Sequence, residues 1–347
     1  MRIASARAAG KQWVQEHACL KPWFKGAYFT GSTVGKSSEA ELSNHSDVDI
    51  VIVTTHEEPP LKLGKFEYKG VLLEITYFSW NQLCSIESVQ HSYHLANSFR
   101  TDTIISDPSG ELGVLQKKVS GSFKQKTWTT ARCQDAVNKI RAGMNTVDSA
   151  APFHDRVTGW LFPTGITTHV VLAAAHQNPT VRLRYPAARD VLFQYKEAGL
   201  YNELLTLLGS HALPPHRAEH HVKQLAKTFD AAAKSARTPF FFSSDITVQA
   251  RPIAIDGSLK MIDLGLHREA MFWIVATFAR CHKILEADAS SQMQRSFFPA
   301  FEDAVTDLGI TSSNDIHNRK QKVLDFLPDL WKTAELIIQR NPEVTGE

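Results

Sequence analysis

The chain has 347 residues, 43% hydrophobic and 21% charged, so it is long enough for two hydrophobic cores and has an ordinary globular composition. Its formal net charge of +2 gives no overall field of the kind that marks nucleic-acid-coating or membrane-surface proteins. We therefore expect neither a nucleic acid nor a membrane as a partner. The N-terminus lacks the apolar segment of a secretory signal, and the four cysteines are far apart, which predicts reduced thiols in a cytoplasmic protein.

The N-terminal part is predicted to begin with a helix and to continue as a sheet. Apolar residues recur at helical spacing from Ala4 to Leu20, and Pro22 ends that helix. A strand follows from Phe24 to Thr30, and the polar segment from Lys36 to Ser46 is predicted to begin as a helix. A second, strongly apolar strand runs from Val48 to Thr54.

A hairpin is predicted next, because Gly70 separates two alternating segments, Lys65–Lys69 and Val71–Phe78. A helix from Ser79 to about Gln90 and a short strand from Thr103 to Asp107 complete this part of the chain. The sheet is therefore expected to be small and to contain both long and short strands.

Beyond Phe123 the pattern changes, since strand signals become rare and 3.6-residue periodicity dominates. The periodic segments lie at residues 126–148, 158–177, 186–198, 200–209, 216–236, 264–287, 292–308 and 318–339. One alternating stretch, Ile246–Ile255, is predicted to be a small strand. The sequence thus predicts an α+β fold, with a small mixed-sheet domain over residues 1–123 and a larger all-helical domain over residues 124–347.

Two aspartates, Asp47 and Asp49, stand two residues apart at the start of the second predicted strand. Side chains at i and i+2 of a strand project from one face, so the two carboxylates are expected to converge. Buried like charges would repel each other unless a cation lay between them. Mg²⁺ suits such hard oxygen ligands and completes its shell with water and substrate phosphates.

Upstream of these aspartates, Gly31 and Ser32 end the first predicted strand. A glycine permits a close approach of the backbone to a phosphate, and the serine hydroxyl and loop N–H groups can donate to phosphate oxygens. This Gly-Ser pair, followed by an Asp-x-Asp strand, resembles the signature of the nucleotidyltransferase superfamily built around the DNA polymerase beta catalytic fold. Within that superfamily the chain looks most like kanamycin nucleotidyltransferase and related antibiotic adenylyltransferases.

The likeness extends to three further segments. Val71–Phe78 resembles the family strand that carries a third carboxylate, here Glu74. Residues 105–112 resemble the next strand and turn of the family, and residues 160–163 resemble a segment of its helical domain. The likeness covers roughly residues 20–210.

The resemblance implies a Mg²⁺-dependent enzyme that moves a nucleoside monophosphate, AMP from ATP, to a hydroxyl of a small molecule such as an antibiotic, and releases pyrophosphate. The implied catalytic and metal-binding carboxylates are Asp47, Asp49 and Glu74, and the implied nucleotide-binding residues are Gly31, Ser32 and Lys36. The kanamycin enzyme takes a general-base Glu from its helical domain. No Glu falls within residues 135–148 here, so Asp148 is the nearest substitute.

Three alternatives to this function are open. Residues 31–37 look like a P-loop, but three residues rather than four separate the glycines, so a nucleotidyltransferase fits better. A non-catalytic nucleotide-sensing module of the same fold is a second alternative, although the set of carboxylates is complete. A protein-modifying AMP transferase is the third, although such enzymes are usually much shorter.

Charge also bears on the acceptor. From residue 126 onward the chain has 25 Lys and Arg against 23 Asp and Glu, whereas a polycationic aminoglycoside would need an acidic groove. Asp148, Asp155 and Asp190 are the candidates for a local acidic patch. We expect kanamycin-type aminoglycosides to be poor substrates and a less charged, partly apolar acceptor to be preferred.

Histidines at positions 216, 220 and 221 lie near a predicted helix start. Two histidines at i and i+4 can bind zinc, but neither a cysteine nor a carboxylate nearby completes a recognisable motif. We therefore expect these histidines to form a solvated helix face.

Overall fold

The computed structural model of the chain describes residues 1–43, 46–146 and 150–346. Within these residues a five-stranded mixed sheet lies in the N-terminal part and a larger helical region follows, which confirms the predicted fold class. The chain divides into two compact units. The sheet unit comprises residues 1–132, Asn178–Thr180 and the segment from Pro342 onward, and the helical unit comprises Cys133–Gln177 and Val181–Asn341. The domain boundary at residues 123 and 124 stays a prediction.

The sheet has the strand order β3-β4-β2-β1-β5. Its strands are β1 (Phe24–Thr30), β2 (Val48–Thr54), β3 (Gly64–Tyr68), β4 (Val71–Ser79) and β5 (Ile104–Ser106). Strand β2 pairs with β4 in parallel, whereas the other three pairings are antiparallel. The predicted strands of this unit and the hairpin are confirmed.

Helices cover both faces of the sheet. The helices of this region are α1 (Ile3–Trp13), which continues as a π-helical turn over Val14–Ala18, α2 (Ile86–His91), α3 (Leu95–Phe99) and α4 (Glu111–Ser122). Because side chains alternate along β2, Ile50 and Ile52 pack in a core with α1, while Val51 and Val53 pack in a second core with α2 to α4. Burial on both faces explains the continuous apolar run from residue 50 to residue 53 within β2.

The helix predicted to begin at Lys36 is wrong for the described part of that segment. Gly31–Thr33 forms a single 3-10 turn, and Gly35 then adopts a left-handed φ of +75°. Farther on, the backbone pairs with the N-terminus: Ile3 N–H donates to the Ala40 carbonyl and Leu42 N–H donates to the Met1 carbonyl. These long-range hydrogen bonds replace the helical ones that the polar sequence suggested.

The helix predicted over residues 79–90 is interrupted. A 3-10 turn at Trp80–Gln82 precedes α2, and Ser79 and Ser85 cap the two pieces with their side chains. Helix α4 was not predicted. Its first residue follows Gly110, which has a left-handed φ of +76°, and the sequence pattern alone did not separate this helix from the preceding turn.

Most of the remaining described chain is helical, as predicted, although the short helix at Gly257–Asp263 was not predicted. The helices are α5 (Lys126–Asn145), α6 (Phe153–Ala174), α7 (Arg184–Gln194), α8 (Ala198–Leu208), α9 (Pro215–Ser235), α10 (Gly257–Asp263), α11 (His267–Asp288), α12 (Ser291–Thr306) and α13 (Ser313–Arg340). The strand predicted at Ile246–Ile255 is wrong, because this stretch contains turns and a π-helix at Pro252–Asp256. Ile246, Ala250 and Ala254, three of its four buried residues, are four apart, which is a helical spacing, and the fourth is Ile255.

Helix α6 is, among the described residues, the one helix long and apolar enough to cross a membrane by length and composition. Of its most apolar window, 72% is buried inside the protein, including Trp160 and Leu161. A buried apolar helix of this kind is typical of the core of a soluble protein.

Candidate active site

The strand register sets four polar residues side by side across the sheet. Thr30 of β1 lies opposite Asp49 of β2, and Asp49 lies opposite Glu74 of β4. Glu74 in turn lies opposite Lys65 of β3. Parallel pairing of β2 and β4 thus brings the carboxylates of Asp49 and Glu74 to one end of the sheet. Asp47 lies at the same end because it stands two residues before Asp49 in the chain.

These three carboxylates form what is called the carboxylate cluster below. One oxygen from each of Asp47, Asp49 and Glu74 lies within 4.8 Å of the other two, and all three residues are partly buried. The structure therefore brings together the three residues that the sequence predicted as metal ligands. A set of three converging hard oxygen donors fits a cation such as Mg²⁺.

Within the cluster, the surroundings of Asp49 disfavour its charged form. Burial, followed by the charges of Asp47 and Glu74, raises the pKa of Asp49 well above its ordinary value. A carboxylate in this position holds its proton more tightly than usual unless positive charge is added. A bound divalent cation would reverse this effect.

Two lysines that the sequence analysis did not assign to the site contact the cluster. Lys65 Nζ lies 2.7 Å from Asp47 Oδ2 and also donates to Glu74, while Lys62 Nζ lies 2.5 Å from Glu74 Oε1. Burial alone would raise the pKa of Glu74, but the ammonium groups of Lys65 and Lys62 outweigh it and lower the pKa to about 2. Lys65 could have been predicted from the sequence, because a two-residue turn at residues 69 and 70 places Lys65 opposite Glu74 in the hairpin.

Gly31 is required at its position for two reasons. Its φ of +68° is left-handed, and a Cβ added there would overlap the carboxylate of Asp49. The 3-10 turn that begins at Gly31 therefore passes directly beside the carboxylate cluster, and the half-buried Ser32 is its second residue. Of the predicted phosphate-binding residues, Gly31 thus lies next to the predicted metal ligand Asp49, and Ser32 follows it in the same turn.

Hydrogen bonds hold this turn in place. The Asn178 side-chain amide donates to the Gly31 carbonyl at 2.8 Å, and the Asn97 amide donates to Asn178 Oδ1 at 3.2 Å. The hydroxyl groups of Thr30 and Ser98 are hydrogen-bonded to each other at 2.7 Å. Asn178 belongs to the sheet unit although it lies between α6 and α7 in sequence, so no local pattern could have identified it.

Cationic side chains lie at the end of the same loop. Lys36 is exposed, and the Arg100 guanidinium lies so close to Gly35 that a Cβ there would overlap it. Arg100 was not predicted, because it follows α3 and is far from the motif in sequence. Asp148, the predicted general base, lies outside the described residues.

The prediction of a solvated histidine face is wrong for one of its three members. His216 and His220 are exposed, but His221 is fully buried and contacts Asp307. The partner carboxylate directly follows α12, and the sequence near α9 could not reveal it.

No protein-family model matches the chain, and no curated protein sequence is significantly similar to it. The likeness to nucleotidyltransferases therefore rests on the motif residues and stays a prediction.

Proposed function

We propose that the chain is a Mg²⁺-dependent nucleotidyltransferase that moves a nucleoside monophosphate, AMP from ATP, to a hydroxyl of a small molecule and releases pyrophosphate. The observation that carries this proposal is the convergence of Asp47, Asp49 and Glu74 within 4.8 Å, beside the turn that begins at Gly31. A cation site next to a close-approach glycine is what phosphoryl transfer requires, because positioning and charge neutralisation supply most of its acceleration.

The three carboxylates would hold Mg²⁺, which when bound would neutralise charge on the phosphates of the nucleotide. Gly31 keeps the backbone close enough for loop N–H groups to reach a phosphate, and the Ser32 hydroxyl adds a donor. Lys36 and Arg100 add positive charge at the end of the loop. These residues together would orient the triphosphate beside the cation.

Lys65 takes the role of a counter-ion in this proposal. With all groups ionised, three carboxylates and the two lysines sum to a charge of −1 (−3 + 2). Cation binding would loosen the contacts of Lys65 with Asp47 and Glu74. The freed ammonium would then be available to the developing negative charge of the reaction.

The proposed acceptor is a neutral or weakly charged small molecule. Of the predicted acidic-patch residues, Asp155 is paired with Lys283 at 2.7 Å and Asp190 is paired with Arg189 at 3.1 Å. Both carboxylates already have a cationic partner, which supports the expectation that kanamycin-type aminoglycosides are poor substrates. The acceptor-binding role of residues 124–347 and the general-base role of Asp148 stay predictions, as does the cytoplasmic location.

A second candidate function is favoured by one observation. Lys65 and Lys62 already neutralise two of the carboxylates, as would suit a non-catalytic module that senses nucleotides without a metal. An AMP transferase that modifies proteins remains the third candidate.

Incubation of the protein with cell lysate, Mg²⁺ and ATP labelled on the α-phosphate separates these candidates. We expect Mg²⁺-dependent label in the small-molecule fraction. Label in the protein fraction would indicate the protein-modifying alternative, and absence of transfer with retained nucleotide binding would indicate the sensing module. The Asp49→Asn variant is the control for each fraction, because it is expected to transfer no label.

A further inference from the structure

A second group of donor atoms converges within the helical unit. His220 and His221 lie on α9 and Asp303 lies on α12, and one donor atom from each of the three lies within 4.8 Å of the others. These residues are called the histidine cluster below. The cluster is unrelated to the proposed transfer reaction in both composition and position along the chain.

The orientation of His221 indicates an unfilled coordination position. Its side chain is 0% exposed, and its Nε2 lies 2.8 Å from Asp307 Oδ2. Because a carboxylate can only accept, Nε2 carries the proton and donates to Asp307, which leaves Nδ1 with its lone pair. That buried Nδ1 has no hydrogen-bond partner among the described residues. A buried nitrogen without a partner is costly, so a ligand for it would stabilise the fold.

Asp303 lies on the other side of the unfilled coordination position at His221 Nδ1. Its Oδ2 lies 3.9 Å from His221 Nδ1 and 3.5 Å from His220 Nε2, separations that are too long for good hydrogen bonds. Its other oxygen, Oδ1, accepts a hydrogen bond from Arg217 Nη2 at 2.7 Å. One carboxylate oxygen is therefore held by arginine and the other is directed at the two imidazoles.

The surrounding charges favour a cation. Arg217 also donates from Nε to Asp307 at 2.6 Å, so one guanidinium is shared by two carboxylates. With both imidazoles neutral, the two carboxylates of Asp303 and Asp307 and the guanidinium of Arg217 have a net charge of −1. A divalent ion would complete the compensation.

We propose that His221 Nδ1, His220 Nε2 and Asp303 Oδ2 form a site for a divalent transition metal, with Zn²⁺ as the preferred ion. Two imidazoles and one carboxylate are ligands that zinc takes, and a water would fill the fourth position, because the His220 side chain is 44% exposed. The carboxylate of Asp307 accepts a hydrogen bond from Nε2 of His221, the nitrogen that would not bind the ion. Zinc-bound histidines commonly make such a contact, which fixes their tautomer. The ion would join α9 to α12.

Calorimetric titration of the metal-stripped full chain with Zn²⁺, in excess Mg²⁺ to occupy carboxylate sites, tests this proposal. We expect one Zn²⁺ per chain, a rise in the melting temperature on binding, and loss of both effects in His220→Ala. Because His220 is exposed, this variant is expected to fold. His216→Ala, an exposed histidine on the same helix outside the cluster, is the matched control and should bind like the parent.

Two further measurements separate this site from other zinc ligands. Asp307→Asn should weaken Zn²⁺ binding by about 10- to 100-fold, since it removes the negative charge behind His221 and leaves the three proposed ligands unchanged. The visible spectrum of the Co²⁺-substituted protein should show nitrogen and oxygen ligands without thiolate bands, which tests whether any of the four free cysteines binds instead. Absence of Zn²⁺ binding, or binding that His220→Ala leaves unchanged, would overturn the proposal.

Discussion

The carboxylate cluster and the histidine cluster both bring three donor atoms within 4.8 Å, but the chain encodes them differently. Asp47 and Asp49 are two residues apart, so their spacing predicted that they converge, and Glu74, which the family resemblance supplied, joins them through one strand pairing. His221 and Asp303 are more than 80 residues apart on separate helices. Sites assembled by strand register can be predicted from spacing, whereas sites assembled by helix packing require the structure.

The clusters also differ in how their charge is compensated. Lys65 and Lys62 contact the carboxylate cluster directly, so a cation must compete with ammonium groups. In the histidine cluster the arginine holds the outer oxygens and leaves Nδ1 of His221 without a partner. We therefore expect the first cluster to bind its ion together with a nucleotide, and the second to bind its ion alone.

The largest expected effect is on catalysis by Asp49→Asn. Removing one metal ligand costs several kcal/mol of transition-state stabilisation, which corresponds to a loss of about 10³-fold or more in turnover. Glu67→Gln, which removes an exposed carboxylate from β3, is the control and should retain activity. Equal turnover by Asp49→Asn and the parent in the labelled-ATP assay would refute the assigned site.

Lys65→Met should destabilise the metal-free protein by about 3–5 kcal/mol, since it leaves Asp47 without its lysine partner and Glu74 with Lys62 alone. Chemical denaturation in EDTA measures this loss, and Mg²⁺ should restore part of it by replacing the missing positive charge. Lys117→Met on the exposed face of α4 is the control. Full loss of stability that Mg²⁺ does not relieve would favour the metal-free sensing module.

Gly31→Ala isolates the close approach of the loop to Asp49. A left-handed φ costs a non-glycine residue about 1–3 kcal/mol, and this cost is shared by Gly110→Ala, where φ is +76° and nothing lies near the new Cβ. Gly31→Ala should therefore lose more stability than Gly110→Ala and should also lose nucleotide transfer. Equal unfolding free energies for the two variants would show that the contact with Asp49 is unimportant.

The smallest expected effect concerns the pH dependence of stability. Because the folded-state pKa of Asp49 is raised, mainly by burial and then by Asp47 and Glu74, the metal-free protein should lose stability as the pH rises from the unfolded-state pKa of about 3.9 toward the folded value. Asp49→Asn removes this loss. In EDTA the variant should therefore melt above the parent near neutral pH, and the difference should shrink in acid. A variant that melts lower at every pH would contradict this account.

The sheet and most helices could be predicted because their signals are local. The continuous apolar run within β2 and the glycine between β3 and β4 specify strands without reference to the rest of the chain. The segment after Gly35 could not be predicted, because its backbone hydrogen bonds go to the N-terminus rather than along the segment. The prediction of a strand at Ile246–Ile255 was wrong because buried residues spaced four apart also give a partly alternating pattern.

The candidate site divides in the same way. Gly31, Asp47 and Asp49 were predicted from one continuous motif, Glu74 was predicted from the family resemblance of its strand, and Lys65 could have been added from the hairpin register. Asn178 and Arg100 could not, since both reach the Gly31 loop from distant parts of the sequence. The groups that hold the Gly31 loop are therefore less predictable than the carboxylates beside it.

Calorimetric titration with a non-hydrolysable ATP analogue tests the central claim most directly, because it needs no acceptor. The carboxylate cluster is expected to bind the analogue together with Mg²⁺, so omission of Mg²⁺ and the Asp49→Asn substitution should each weaken binding at least about tenfold, equivalent to 1.4 kcal/mol. Binding of equal affinity with and without Mg²⁺, unchanged by Asp49→Asn, would contradict a metal-dependent nucleotide site at Asp47, Asp49 and Glu74.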